Sequence, residues 1–102
     1  MTKYHNVKTT IDDHVFDSKH EANRYGELAA LLNSGWIVDL ILQPVFLITV
    51  KDCRICKYIA DFSYFTNNGH FVVEDAKGIR TPVYRLKKKL VKALYGIDIM
   101  EV

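Results

Sequence analysis

The polar and apolar positions fall into blocks with two different periods. From Ser18 to about Asn33, Ala22, Tyr25, Ala29 and Leu32 recur at spacings of three and four, which predicts an amphipathic helix. Ser18 is a good N-cap residue, Glu21 three positions later completes a capping box, and Ser34-Gly35 stops the helix. Trp36–Val50 is almost continuously apolar and predicts one long strand or two, edged or bulged at Pro44, which cannot donate to a ladder. Lys51–Cys56 reads as a charged turn. Lys57–Phe65 and His70–Lys77 read as strands around an Asn67-Asn68-Gly69 loop.

A second helix is predicted after Thr81 and Pro82, with Val83, Leu86, Leu90 and Leu94 as its buried stripe and Gly96 as its stop. Ile97–Val102 is a last short strand. Residues 1–17 form an irregular arm with a short extended piece at Val15-Phe16. The order is helix, three strands, helix, strand, an α+β domain (α/β in the broad sense) around a mixed sheet.

The chain of 102 residues has the length of one domain, and 49% hydrophobic with 25% charged residues is ordinary globular composition. No apolar run approaches the roughly 18 residues of a membrane span, and the polar first ten residues hold no signal peptide, so a soluble intracellular protein is expected. A net charge of +2 says little, but seven of the fourteen Lys and Arg lie between Lys77 and Lys92, a window without an acid. Arg80, Arg85, Lys88, Lys89 and Lys92 are the candidates for contacts to a polyanion such as DNA. A solvated helix face is the plainer reading of the same charges. Cys53 and Cys56 make half a zinc site with no histidine at a matching spacing. Reduced thiols are the simpler account.

The acids of the hairpin carry the chemistry. With a two-residue loop, Asp61 would oppose Ala76. With a three-residue loop and Gly69 left-handed, Thr66 pairs with His70, so Asp61 lies opposite Asp75 and shares a face with Lys77. Glu74 then points to the other face beside Phe62. The three-residue register is the expectation. Carboxylates on adjacent strands repel unless a cation bridges them, and Mg²⁺ (or Mn²⁺ in its place) accepts such oxygen ligands. A bound divalent ion lowers the pKa of a water and offsets phosphate charge, and Lys77 can hold that water. An ordinary cross-strand ion pair is the competing reading. Glu21 either only caps its helix or supplies a third carboxylate.

Taken together, KYHN at Lys3–Asn6, FDSKHEANRYGEL at Phe16–Leu28, LQPVF at Leu42–Phe46, YIADF at Tyr58–Phe62, VVEDAKG at Val72–Gly78 and YRLKKKL at Tyr84–Leu90 resemble the PD-(D/E)xK nuclease superfamily. The likeness is to small phage endonucleases related to Holliday junction resolvases, and it spans nearly the whole chain. The resemblance implies a restriction-endonuclease-like αβββαβ core and Mg²⁺-dependent cleavage of DNA, branched DNA included, in a phage or prophage protein of the bacterial cytoplasm. It implies Asp61, Asp75 and Glu21 as metal ligands and Lys77 as the catalytic lysine. Two features depart from the superfamily pattern. Ala60 stands where its proline would be, and Asp75 where Glu is commoner, which leaves a part open for Glu74. Gln43 reads as a polar residue on the site side. Symmetric cutting of a four-way junction implies a homodimer. A non-catalytic nucleic-acid-binding module on a nuclease fold, and a zinc-stabilised interaction protein, are the alternatives.

Overall fold

The computed structural model describes residues 9–11, 14–76 and 80–102. The expected KYHN segment and Lys77 lie outside them. Among the described residues the chain is an α+β protein. A short ribbon, β1 (Thr9–Ile11) and β2 (His14–Phe16), leads into α1 (Lys19–Asn33). Five strands follow: β3 (Ile37–Leu42), β4 (Val45–Val50), β5 (Cys53–Ile59), β6 (Phe62–Thr66) and β7 (Phe71–Asp75). Helix α2 (Pro82–Tyr95) and β8 (Met100–Glu101) complete the chain. Ser18 caps α1 by accepting a bond from the Glu21 N–H at 3.1 Å, and Thr81 caps α2 in the same way from Tyr84 at 3.1 Å.

The strands form a four-stranded mixed sheet, β3-β6-β7-β8, and a two-stranded ribbon, β4-β5. Two long antiparallel segments, β3–β4 and β5–β6, pass from one to the other and bend at the same level. Pro44 has no N–H to give, and Gln43 takes a positive φ of 54°. The pairing continues across the bend, with Gln43 N–H donating to Asp61 O at 2.9 Å and Ala60 N–H to Pro44 O at 3.1 Å. The expected three central strands are therefore present, two of them bent.

The hairpin β6–β7 takes the three-residue register: Phe62 pairs with Glu74 and Phe65 with Phe71, the Thr66 N–H bonds His70 O at 2.8 Å, and Gly69 has φ +87°. Alternation then sends Phe62, Tyr64 and Glu74 to the α1 side. There Phe62 and Tyr64 pack with Phe16, Ala22, Tyr25 and Leu28. Val73 goes to the opposite side and packs with Tyr58, Tyr84, Val91 and Ile99. Strand β8 pairs parallel with β7, setting Glu101 beside Asp75.

Three expectations are corrected. Lys51–Cys56 is not one turn, because Lys51 and Asp52, both at positive φ, make a two-residue loop, and Cys53 already pairs with Val50. Left-handed residues match the twist of the flanking strands, and here two non-glycine residues take that conformation. Cys53 and Cys56 thus lie on β5, as free thiols. The α2 stripe is also different. Tyr84 and Val91 are its buried residues, while Val83, Leu86 and Leu94 are 60%, 58% and 45% exposed. The long Tyr84 ring reaches the core from a neighbouring face, so Val83, Leu86 and Leu94 turn outward, while Leu90 still packs partly buried against the core. At the end of α1, Leu32 is likewise exposed. No described helix is long and apolar enough to cross a membrane.

The loop glycine is tested by contrast with a helical one. A Cβ on either Gly69 or Gly26 meets no atom within 4 Å, so only backbone preference separates the two. Gly69→Ala is expected to lower stability by about 1 kcal/mol, and Gly26→Ala to raise it by about 0.5–1 kcal/mol, in urea denaturation.

Candidate functional site

The bend in the second long segment places Asp61 between two strands, its C=O accepting from Gln43 and its N–H donating to Glu74 O at 3.1 Å. Its side chain, held on one side by the Ala76 N–H at 2.7 Å from Oδ2, meets the Asp75 carboxyl, which is 1% exposed. The Tyr58 hydroxyl donates to Asp75 Oδ2. Burial, then the Asp75 charge, then a hydrogen bond shared with Asp75 raise the Asp61 carboxyl from 3.8 to about 8, against the opposing effect of the Ala76 N–H. Asp61 is therefore held in its protonated form near neutral pH. Desolvation, followed by its bond to Asp75, pushes the Tyr58 hydroxyl well above its ordinary value.

Glu21 is 8% exposed and acts on Asp61 through its charge. It lines a cavity of about 170 Å³ with Gln43, His14, Val15, Phe16 and Leu42. Gln43 lines this cavity beside Glu21, with a left-handed backbone of the kind that clusters at functional sites. Among the described residues no three His, Cys, Asp or Glu side chains form a ready-made metal-binding group. The direct contact is between two carboxylates, with Glu21 further off. That donor set fits Mg²⁺, which binds proteins through one or two carboxylates and keeps several waters.

Glu74 goes elsewhere. It is fully buried on the α1 face, where Arg24 grips it with Nε–Oε1 at 2.7 Å and Nη2–Oε2 at 2.6 Å, and the Tyr64 hydroxyl also donates to it. Desolvation and this bond push the Tyr64 hydroxyl up to about 12. The fork-to-fork geometry and complete hydrogen bonding make it a structural ion pair.

The five basic residues come together. Arg80, Arg85, Lys88, Lys89 and Lys92 line one groove of about 470 Å³ between α2 and the final segment. The acid-free window of sequence is not acid-free in space, however. Glu101 accepts from Arg80 Nε at 2.6 Å and from the Tyr84 hydroxyl at 2.8 Å, and lies 3.1 Å from Lys88 Nζ. Lys92 meets Asp98 at 2.8 Å. Bonds from Tyr84 and then Arg80 lower the Glu101 carboxyl to about 2. The Tyr84 and Tyr58 rings are 6.2 Å apart, so two tyrosines connect the groove to the acid pair.

Sequence reasoning missed Arg24, Tyr58, Tyr64, Tyr84 and Glu101. The tyrosines carried a faint signal, since a core tyrosine needs a partner for its hydroxyl. Nothing local marked Glu101, whose partners are at least 13 residues away in sequence.

Fold and site together define an α+β protein with two carboxyl groups in contact beside a basic groove. The chain belongs to the DUF1064 family, described as a protein of unknown function, whose family model matches residues 1–99. No curated protein and no solved structure matches it.

The raised Asp61 fixes the sign of a pH effect. Between about 3.8 and 8 the folded chain keeps a proton that the unfolded chain has released, so this group's contribution to stability falls as pH rises through that window. Asp61→Asn keeps an acceptor for Ala76 and removes the charge. In EDTA it is expected to stabilise the protein by roughly 1 kcal/mol or more at pH 8.5, with the gain shrinking towards pH 4, in urea titrations at both pH values.

Proposed function

We propose that this protein is a metal-dependent endodeoxyribonuclease that hydrolyses phosphodiester bonds, with branched DNA as the favoured substrate class. The observation that carries the reading is the Asp61–Asp75 pair, two carboxylates in contact inside the protein and joined through Tyr58 and Tyr84 to a groove of five cations. A pair of acids of which one stays protonated in isolation is suited to a divalent cation, and the neighbouring groove is suited to a polyanion. The resemblance to PD-(D/E)xK nucleases points the same way.

In this reading Asp61, Asp75 and Glu21 are the residues that would hold Mg²⁺. When bound, Mg²⁺ would supply a lowered pKa for a water and positive charge against the scissile phosphate. Tyr58 keeps Asp75 oriented, and the Ala76 N–H does the same for Asp61. By the resemblance, Lys77 would supply a positive charge and a proton donor. Water attacks phosphorus, the bond to the leaving sugar oxygen breaks, and that oxygen takes up a proton. Arg80, Arg85, Lys88, Lys89 and Lys92 carry the DNA backbone. Cleaving both strands at a junction calls for two such sites, and the outward ridge of Val83, Leu86 and Leu94 offers a second copy an apolar surface for a homodimer. A phage or prophage protein acting on DNA in the bacterial cytoplasm fits this activity.

The test is incubation of purified protein with labelled linear and four-way DNA. Cleavage is expected with Mg²⁺ or Mn²⁺ and absent in EDTA. Asp75→Asn and Lys77→Ala are each expected to lower the rate by about 10²-fold or more. In thermal melts, Mg²⁺ is expected to stabilise the wild type and leave Asp75→Asn unmoved. Cleavage that survives EDTA or Lys77→Ala rejects the mechanism. Salt-sensitive binding without any cleavage would leave a non-catalytic DNA-binding module.

A further inference from the structure

The Glu101 carboxylate sits in a setting built for an anion. A guanidinium, a phenol and an ammonium converge on it at 2.6, 2.8 and 3.1 Å. Arg80 and Tyr84 flank the start of α2, and Lys88 is one helical turn beyond Tyr84. Two cations face a single carboxylate, so the cradle stays positive even when filled, and Arg85 and Lys89 add charge to the same groove. The cationic arms are reachable, with Arg80 47% and Lys88 38% exposed.

The backbone of Glu101 is held independently of its side chain. It belongs to a two-residue strand, and the pairing of that strand with β7 is made by backbone groups such as the Val102 N–H, 3.1 Å from Asp75 O. The side chain can therefore rotate out while the strand stays paired. Parallel register sets Glu101 beside Asp75, one strand spacing of about 4.8 Å from it. An anion in the cradle would lie next to the carboxylate pair.

We propose that Arg80, Tyr84 and Lys88 form a phosphate-binding site for the DNA backbone, and that Glu101 occupies it as a built-in competitor which an incoming phosphate displaces. A backbone phosphodiester presents two charged oxygens, as the carboxylate does, and can take over the same three donors, while its neighbouring phosphates reach Arg85 and Lys89, which Glu101 leaves unused. Glu101 thus keeps the groove from binding stray polyanions tightly and raises the threshold for DNA to settle beside Asp61 and Asp75. The inference rests on the nucleic-acid reading of the groove and adds to it a site and a means of control.

The test uses the full chain and a fluorescent four-way DNA in EDTA, so that binding is read without cleavage. Glu101→Gln is expected to lower Kd about tenfold at 100 mM NaCl. In an Arg80→Gln/Lys88→Gln background the same change is expected to alter Kd less than twofold, because the donors it releases are gone. Tightening of equal size in both backgrounds would reduce the effect to general charge and overturn the site. Unchanged or weaker binding by Glu101→Gln would make Glu101 a structural staple only. A readout independent of that variant is the Glu101 side-chain carboxyl ¹³C signal of the wild type. It is expected to move towards a solvent-exposed shift when DNA is added, and a signal that stays put overturns the displacement. Wild-type protein that binds no DNA at 50 mM NaCl removes the nucleic-acid reading itself, an outcome distinct from binding that ignores Glu101.

Discussion

The register of β6 against β7 is the constraint on which the remaining arrangement depends. Three residues, Asn67-Asn68-Gly69, close the hairpin so that Phe62 pairs with Glu74. Because side chains alternate, a slip by one position would exchange the two faces. In this register the adjacent acids Glu74 and Asp75 part company. Glu74 enters the α1 layer and is neutralised by Arg24 and Tyr64. Asp75 enters the other layer, where Asp61 and Tyr58 meet it. One acid becomes part of the scaffold and the other part of the site.

The cost of burying the second acid is met in a different way. Glu74 has a guanidinium within bonding distance, so it remains a satisfied ion pair. The Asp61–Asp75 pair has a tyrosine hydroxyl and one backbone N–H but a second like charge, and it responds by holding a proton that an isolated carboxyl would have lost at neutral pH. Such a pair is a poor stability element, in keeping with the general tendency of perturbed carboxylates to mark functional sites. The bend at Gln43 and Ala60-Asp61 is part of the same design. It detaches the β4–β5 ribbon from the main sheet and leaves Asp61 bonded to strands on both sides.

The elements with strong local signals were legible. Ser18, Thr81, Pro82 and Gly96 mark helix ends through capping and backbone preference, and those ends fall where the residues place them. Asn67-Asn68-Gly69 was enough to choose between two registers. The turn at Lys51-Asp52 was misread because nothing in two ordinary charged residues announces a left-handed pair. The outward ridge of α2 was misread because periodicity identifies an apolar face and says nothing about which partner covers it. Tyr84 won the core position by reach, which no hydropathy pattern encodes.

Local residue chemistry thus determined the helices and the hairpin register that sends Glu74 and Asp75 to opposite faces, since capping, glycine conformation and strand alternation act over a few residues. Only the tertiary structure decided which acids are neutralised and by whom. Arg24 reaches Glu74 across 50 residues of sequence, and Glu101 arrives from the end of the chain to meet Arg80, Tyr84 and Lys88. Electrostatic partners are set by distance in space and by exclusion of water, and neither is a property of neighbouring positions in a chain.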